Sequence, residues 1–278
     1  MKTIAVLLTV FNRKDKTLQS LERLYKLLPL DGYQVDVYLT DDGCTDGTPE
    51  EVAEQFPQVN IIHAIGDLFW NRGMWTAWDT AAKAKDYDFY LWLNDDTFVY
   101  DNMLKVLTHS AVETNEKAII IGATESTDHS AITYGGRLKN GSIPKPDGCL
   151  IKVDYFNGNI VLIPRAAYKV LGNLDHYFTH SKGDFDYGMR AKKANIAMFQ
   201  AGEVLGECDA HPTFDKWCNP NVPFVQRWKM LHRPNGMPPK EIFHLERRHK
   251  GLVMACFHYL TIYLRCLCPK LWLKREKG

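Results

Sequence analysis

Residues 4–10 (IAVLLTV), 89–93 (FYLWL) and 118–123 (AIIIGA) carry apolar side chains at almost every position. Successive side chains of a strand point to opposite faces, so such runs fit only a sheet covered on both sides. Two less pure runs, 35–39 and 59–65, complete a set of short strands. Between them the spacing turns helical: apolar residues fall at 18, 21, 24, 25 and 28 within 17–28. Thr48, Pro49 and Glu51 predict an N-cap, a first-turn proline and a capping-box glutamate for the next helix. Further helices are expected over about 74–85 and from Asp101. The alternation predicts an α/β fold with a mainly parallel, doubly wound sheet and helices on both faces.

Composition narrows the class. A chain of 278 residues with 45% hydrophobic content can bury a proper core, and a net charge of +1 argues against nucleic acid as partner. The seven cysteines are odd in number and form no CxxC pair, which suits a reducing compartment and free thiols rather than a disulfide framework. Cys208, His211 and Cys218 lack the regular second pair of a structural zinc site. The amino-terminal run MKTIAVLLTVFNRKD lacks a small-residue cleavage site and reads as a first core strand rather than a signal peptide. No GxGxxG follows that strand, which excludes a dinucleotide-dependent dehydrogenase. Beyond residue 124 the alternation gives way to a turn-rich stretch. A strand at 160–163, a helix ending before Gly172 and a helix stopping near Asn195 follow.

Three polar clusters sit directly behind strands: Phe11-Asn12-Arg13, Asp41-Asp42, and Asn94-Asp95-Asp96. In open α/β sheets ligands bind beyond the C-terminal ends of the strands, so these clusters are expected to meet in one crevice. Any one of them is explained as a turn; three on one edge are not. Adjacent carboxylates repel each other, and hard oxygen ligands on a loop suit Mg2+ or Mn2+ held together with phosphate oxygens.

TVFNR at 9–13, TDDGCTDGT at 40–48 and NDDT at 94–97 resemble, in order and spacing, the motifs of family 2 glycosyltransferases over about residues 3–205. Within that family the chain is similar to bacterial rhamnosyltransferase-like enzymes of surface polysaccharide synthesis. The resemblance implies a GT-A fold and a nucleotide-sugar donor, UDP or dTDP being favoured. It also implies a glycan or lipid-linked acceptor, and transfer with inversion assisted by a divalent metal. It places Thr9, Phe11 and Asn12 in the nucleotide pocket, Asp42 on the base, Asp95 near the ribose and Asp96 on the metal. Asp184 in GDFDYGMR matches the catalytic base; Gly183 stands where relatives carry Glu, which leaves Asp186 as competitor or as an acceptor-binding group. FNGN at 156–159, with Asn157, resembles the segment beside the acceptor, and His211 matches a third metal ligand that some GT-A enzymes supply. A lone histidine is more often structural.

In GDLFWNRGMWTAW, Arg72 is expected to pair with a phosphate, with Gly73 allowing close backbone approach before a helix start. Trp70, Trp75 and Trp78 are expected to pack that helix on the sheet. The layout expected is a catalytic domain over 1–210, with a nucleotide half 1–123 and an acceptor half 124–210, and a C-terminal extension over 211–278. From Arg247 the chain carries eight Lys or Arg and one Glu around the apolar run 252–264, too short for a span of about 20 residues. A basic, aromatic helix of this kind suits the membrane interface, so the expected location is cytoplasmic and peripheral at the inner face of the membrane. A helix docked on the core or a partner subunit is the other reading. Two rivals to the transferase remain: a sugar-nucleotide pyrophosphorylase, against which the glycine-free first loop argues, and a non-catalytic nucleotide-sugar or glycan-binding module.

Overall fold

The computed structural model describes residues 1–210 and 216–273, and the chain divides into two compact units. The first unit holds 1–176 and 184–210; the second holds 177–183 and 211–278, so a short excursion before Asp184 joins the C-terminal extension.

The strands of the first unit are β1 (Lys2–Val10), β2 (Tyr33–Asp41), β3 (Val59–His63), β4 (Phe89–Leu93), β5 (Phe98–Val99), β6 (Ile119–Glu125), β7 (Ile132–Tyr134), β8 (Gly136–Arg137), β9 (Ile151–Lys152), β10 (Tyr155–Phe156), β11 (Ile160–Pro164) and β12 (Met198–Glu207). The main sheet runs β3-β2-β1-β4-β11-β6-β12-β5, with β7 on β6 and β9 on β12, while β8 and β10 form a separate ribbon. Pairs β3/β2, β2/β1, β1/β4 and β6/β12 are parallel, whereas β11 runs antiparallel to both β4 and β6. This is the expected α/β architecture, with one reversed strand at its centre.

Both faces are buried because the strand side chains alternate between two cores. Ile4, Val6, Leu8, Leu91 and Leu93 pack with Leu21 and Leu24 of α1 (Lys14–Tyr25), Val52 of α2 (Thr48–Gln55) and Leu104 and Leu107 of α4 (Met103–Glu113). Ala5, Leu7, Tyr90 and Trp92 pack on the other side with Trp78 of α3 (Phe69–Ala84), Ala167 of α5 (Arg165–Leu171) and Tyr187 of α6 (Gly183–Lys193). Trp78 is fully buried and touches Tyr90, Trp92, Tyr168 and Tyr187, the packing role expected of it.

Helix starts differ from the sequence reading; α4, for one, begins at Met103, two residues after the expected Asp101. Helix α2 is capped by Gly47 in the left-handed region (φ 80), with Thr48 as its first residue. Asp46 Oδ1 accepts the Thr48 N–H at 3.1 Å, and Glu51 bonds Gln55 instead of reaching back. Helix α3 begins at Phe69, five residues before the expected Met74. The backbone N–H groups of Leu68 and Phe69 donate to the two oxygens of Asp42 at 2.9 and 2.8 Å. A carboxylate at a helix N-terminus satisfies donors that have no partner inside the helix. Here it comes from 26 residues upstream, beyond the reach of any local capping signal.

The second unit contains α7 (Phe224–Leu231), α8 (Pro239–Lys250), α9 (Leu252–Leu267) and the short α10 (Lys270–Leu273). Its core includes Trp217, Leu231 and Cys266. Arg227 ties α7 to the end of α9 by donating from Nε to the Cys266 carbonyl at 2.8 Å. The 177–183 excursion is held by Tyr177 stacking on His244, ring centroids 4.2 Å apart, and by Thr179 Oγ1 donating to Glu241 at 2.6 Å.

Candidate active site

Strands β2, β1 and β4 are neighbours and parallel, so their C-terminal ends lie side by side on one edge. The loops carrying Asn12, Asp42 and Asn94–Asp96 are therefore brought together there, as the spacing implies. In the β1–β2 register Thr9 lies opposite Thr40, and the Asp42 N–H donates to the Val10 carbonyl at 2.9 Å.

The Asn94–Asp96 loop is a turn, closed by the Thr97 N–H to the Asn94 carbonyl and held to α1 by Ser20 Oγ donating to the Thr97 carbonyl at 3.0 Å. Asp95 is buried, whereas Asp96 keeps part of its side chain exposed. Burial pushes the Asp95 carboxyl up to about 7. The charge of Arg13 works against that rise and that of Asp96 adds to it. Arg13 Nη1 lies 2.7 Å from Asp96 Oδ2 and 3.4 Å from Asp95 Oδ1. Asp95 Oδ2 is buried without a hydrogen-bond partner. An orphaned carboxylate oxygen beside a partly exposed second carboxylate is a donor set that fits a hard divalent cation.

Around the nucleotide-pocket residues the geometry is built from backbone. Asn12 has a left-handed backbone (φ 49), and its Oδ1 accepts the Thr45 N–H at 2.8 Å, joining the β1 and β2 loops. Phe11 stands exposed on the same edge, while Thr9 is buried. Burial raises the Asp42 carboxyl from its ordinary value, against the pull of the two backbone N–H groups described above. Gly73 lies inside α3 rather than ahead of it. A Cβ there would sit 2.1 Å from Thr9 Oγ1, so glycine lets the helix approach the end of β1.

Arg72, also within α3, donates from Nε to the His176 carbonyl at 3.1 Å, which anchors the chain before Asp184. Trp70 packs against the second core as expected and also makes a hydrogen bond. Its Nε1–H donates to Asn94 Oδ1 at 2.7 Å while its ring stands edge-on to Trp92, centroids 6.0 Å apart. The six-membered ring of the same indole faces Gly158, where a Cβ would come within 2.6 Å of Cη2 and Cζ2 and 3.4 Å of Asp184 Cβ. Asp184 Oδ2 accepts the Gly158 N–H at 3.2 Å, and Oδ1 accepts the Phe185 N–H at 2.8 Å. A continuous path thus runs from Asp184 through Gly158, Trp70 and Asn94 to the acidic pair.

The other acceptor-side residues separate. Asn157 Oδ1 accepts from Arg137 Nε at 2.8 Å. Asp186 has no exposed surface and pairs with Arg190 Nε at 2.9 Å, while that arginine's other nitrogens bond the carbonyls of Leu171 and Asn173. In this arrangement Asp186 braces α6, and a fully buried carboxylate does not meet an acceptor; Asp184 is the partly exposed member of the two. His211 lies outside the described residues. Cys208 Sγ, which accepts from Asn159 Nδ2 at 3.4 Å, lies 3.9 Å from Asp96 Oδ1. Sequence reasoning missed three participants: Arg13, Trp70 as a hydrogen-bond donor, and Cys208. Only Arg13 carried a signal, as the last residue of TVFNR.

Residues 5–171 match the family model described as Glycosyl transferase family 2. No functionally curated protein matches the chain. Among solved structures, S. aureus TarS 1-349 in complex with UDP-GlcNAc superposes with a TM-score of 0.57 at 13% identity, over 93% of this chain and 73% of that one. The S. aureus TarS 1-349 complex with UDP gives 0.56 at 13% identity, over 84% and 72%. S. aureus TarS gives 0.55 at 13%, over 82% of this chain and 41% of its own length, so the match spans under half of that protein. At such identities the likeness concerns the fold, which is that of GT-A glycosyltransferases.

Proposed function

This chain belongs to glycosyl transferase family 2, and on that premise we propose that it moves a sugar from a nucleoside-diphosphate donor to a hydroxyl of a glycan or lipid-linked glycan, with inversion. The observation that carries the reading is the path linking Asp184 to the Asn94–Asp96 loop through Gly158 and Trp70. It joins a partly exposed carboxylate to an acidic pair, which supports a displacement with base and leaving-group assistance.

Each residue then has a task. Asp184 takes the proton from the acceptor hydroxyl as that oxygen attacks the anomeric carbon. Its bonds from the Gly158 and Phe185 N–H groups fix the carboxylate's direction. Thr9, Phe11 and Asn12 border the nucleotide. Asp42 shapes the pocket by starting α3, and its oxygens keep lone pairs for a base N–H. Asp96 and Asp95 would hold a divalent cation, Mn2+ or Mg2+, which when bound supplies charge neutralisation for the departing nucleoside diphosphate. A release assay for nucleoside diphosphate, run over UDP- and dTDP-sugars with a polyprenyl-linked acceptor, tests the reading. Binding of a donor with no release would overturn it in favour of a binding module.

The second unit supports a location at an anionic membrane surface. On α9, Val253, Phe257, Leu260, Leu264 and Leu267 are exposed at intervals of three and four residues, and on α7 Phe224, Val225 and Trp228 are exposed. Among the described residues no helix is long and apolar enough to cross a membrane. An apolar stripe with basic residues beside it suits the headgroup boundary. A second copy of this stripe would bring the same excess of positive charge with it.

A further inference from the structure

We propose that Arg13 is the resident counter-cation of the Asn94–Asp96 loop. In the unloaded enzyme it competes with the divalent cation, and it is released to the donor diphosphate when both bind. The proposal rests on the metal-dependent reading above and extends it to a residue that reading does not use.

The geometry carries it. One nitrogen of Arg13 reaches both carboxylates, at 2.7 Å from Asp96 and 3.4 Å from Asp95. Two adjacent acidic groups, one of them buried, need compensation before any ligand arrives, and this guanidinium supplies it. A metal ion seated on the same oxygens at about 2.0–2.6 Å would face the positive guanidinium at close range, so the two cations exclude one another.

The side chain is also free to leave. Among the described residues its guanidinium bonds only these two carboxylates, and it is 42% exposed. The other arginines of this unit near the site are anchored to fixed groups: Arg72 to the His176 carbonyl, Arg137 to Asn157 and the Gly141 carbonyl, and Arg190 to Asp186 and two carbonyls. The Arg13 backbone stays fixed meanwhile, since its carbonyl accepts both the N–H and the hydroxyl of Thr17 at 3.0 Å at the start of α1. A planar cation on a fixed stem beside the expected diphosphate position is suited to bidentate phosphate contact. Cation and nucleotide should therefore bind cooperatively, because the diphosphate gives Arg13 a new partner and vacates the carboxylates.

Mn2+ binding to the full chain, followed by the electron paramagnetic resonance signal of the free ion, is the test. Without nucleotide, Arg13→Gln should bind Mn2+ about ten-fold more tightly than the native protein, and Arg13→Lys should stay near the native value. UDP or dTDP should tighten Mn2+ binding in the native protein and do so less in Arg13→Gln. Melting temperatures establish that each variant is folded. Unchanged or weakened Mn2+ affinity in folded Arg13→Gln overturns the proposal. If Asp96→Asn abolishes Mn2+ binding while Arg13→Gln behaves as native, only the role of Arg13 falls. If Asp96→Asn binds Mn2+ as the native protein does, the metal-dependent reading falls with it.

Discussion

Trp70 donates its indole N–H to Asn94 Oδ1 at 2.7 Å while its six-membered ring covers Gly158, the residue whose N–H holds Asp184. One side chain therefore sets the spacing between the acidic loop and the candidate base. Trp70→Phe keeps much of the ring and removes the donor, at a cost of about 1 kcal/mol in the stability of the loop's arrangement. Turnover should fall about ten-fold while the melting temperature changes little. Trp70→Phe and Asn94→Ala should be non-additive in a double-mutant cycle. Additive losses would show that the contact does not couple the two parts of the site.

The two aspartates of α6 should fail in different ways. Asp184→Asn is expected to reduce turnover by roughly two orders of magnitude or more with donor affinity retained. Asp186→Asn removes one partner of a buried pair and should cost about 3 kcal/mol in stability, measured by denaturant unfolding. If Asp186→Asn leaves stability intact and abolishes transfer, the assignment of the base is reversed.

Removal of the cation provides a third measurement. EDTA should stop sugar transfer, and Asp96→Asn should remove both transfer and Mn2+-dependent nucleotide binding without unfolding the protein. Full activity in EDTA would leave charge neutralisation of the leaving group to protein cations alone.

Asp95 gives stability a pH dependence of unusual sign. Its folded carboxyl titrates near 7, above the ordinary carboxylate value, so the folded state holds the proton more tightly than the unfolded chain. That contribution to stability is fully present below the unfolded pKa of about 4 and is lost as pH rises through about 7. Asp95→Asn should therefore raise the melting temperature of the ligand-free protein relative to native more at pH 8 than at pH 5. An equal difference at both pH values would mean that Arg13 compensates the ionised Asp95 completely.

Membrane attachment is testable with intact protein. Leu260→Glu with Leu264→Glu places two charges on the exposed stripe of α9 and should abolish sedimentation with vesicles containing phosphatidylglycerol. Native binding should weaken as salt rises, since each surface Lys or Arg contributes about 1 kcal/mol that ions screen. Equal sedimentation of both proteins would exclude α9 as the docking face.

Within the sequence, apolar runs and their spacing determined the strands, their parallel order and the edge on which the polar loops converge. Those features are local or periodic: burial on both faces requires apolar residues at successive strand positions, and Phe89–Leu93 is visible as a strand without any partner. Asp42, Asp95, Asp96 and Asp184 were legible as polar residues at strand ends and at a helix start. What each touches was decided by tertiary structure. The start of α3 depends on Asp42, the charge of the acidic pair on Arg13 82 or 83 residues away, and the seat of Asp184 on the small size of Gly158 beneath Trp70. Long-range hydrogen bonds and close approaches leave no periodicity in the chain, because their partners are joined only when the sheet has assembled.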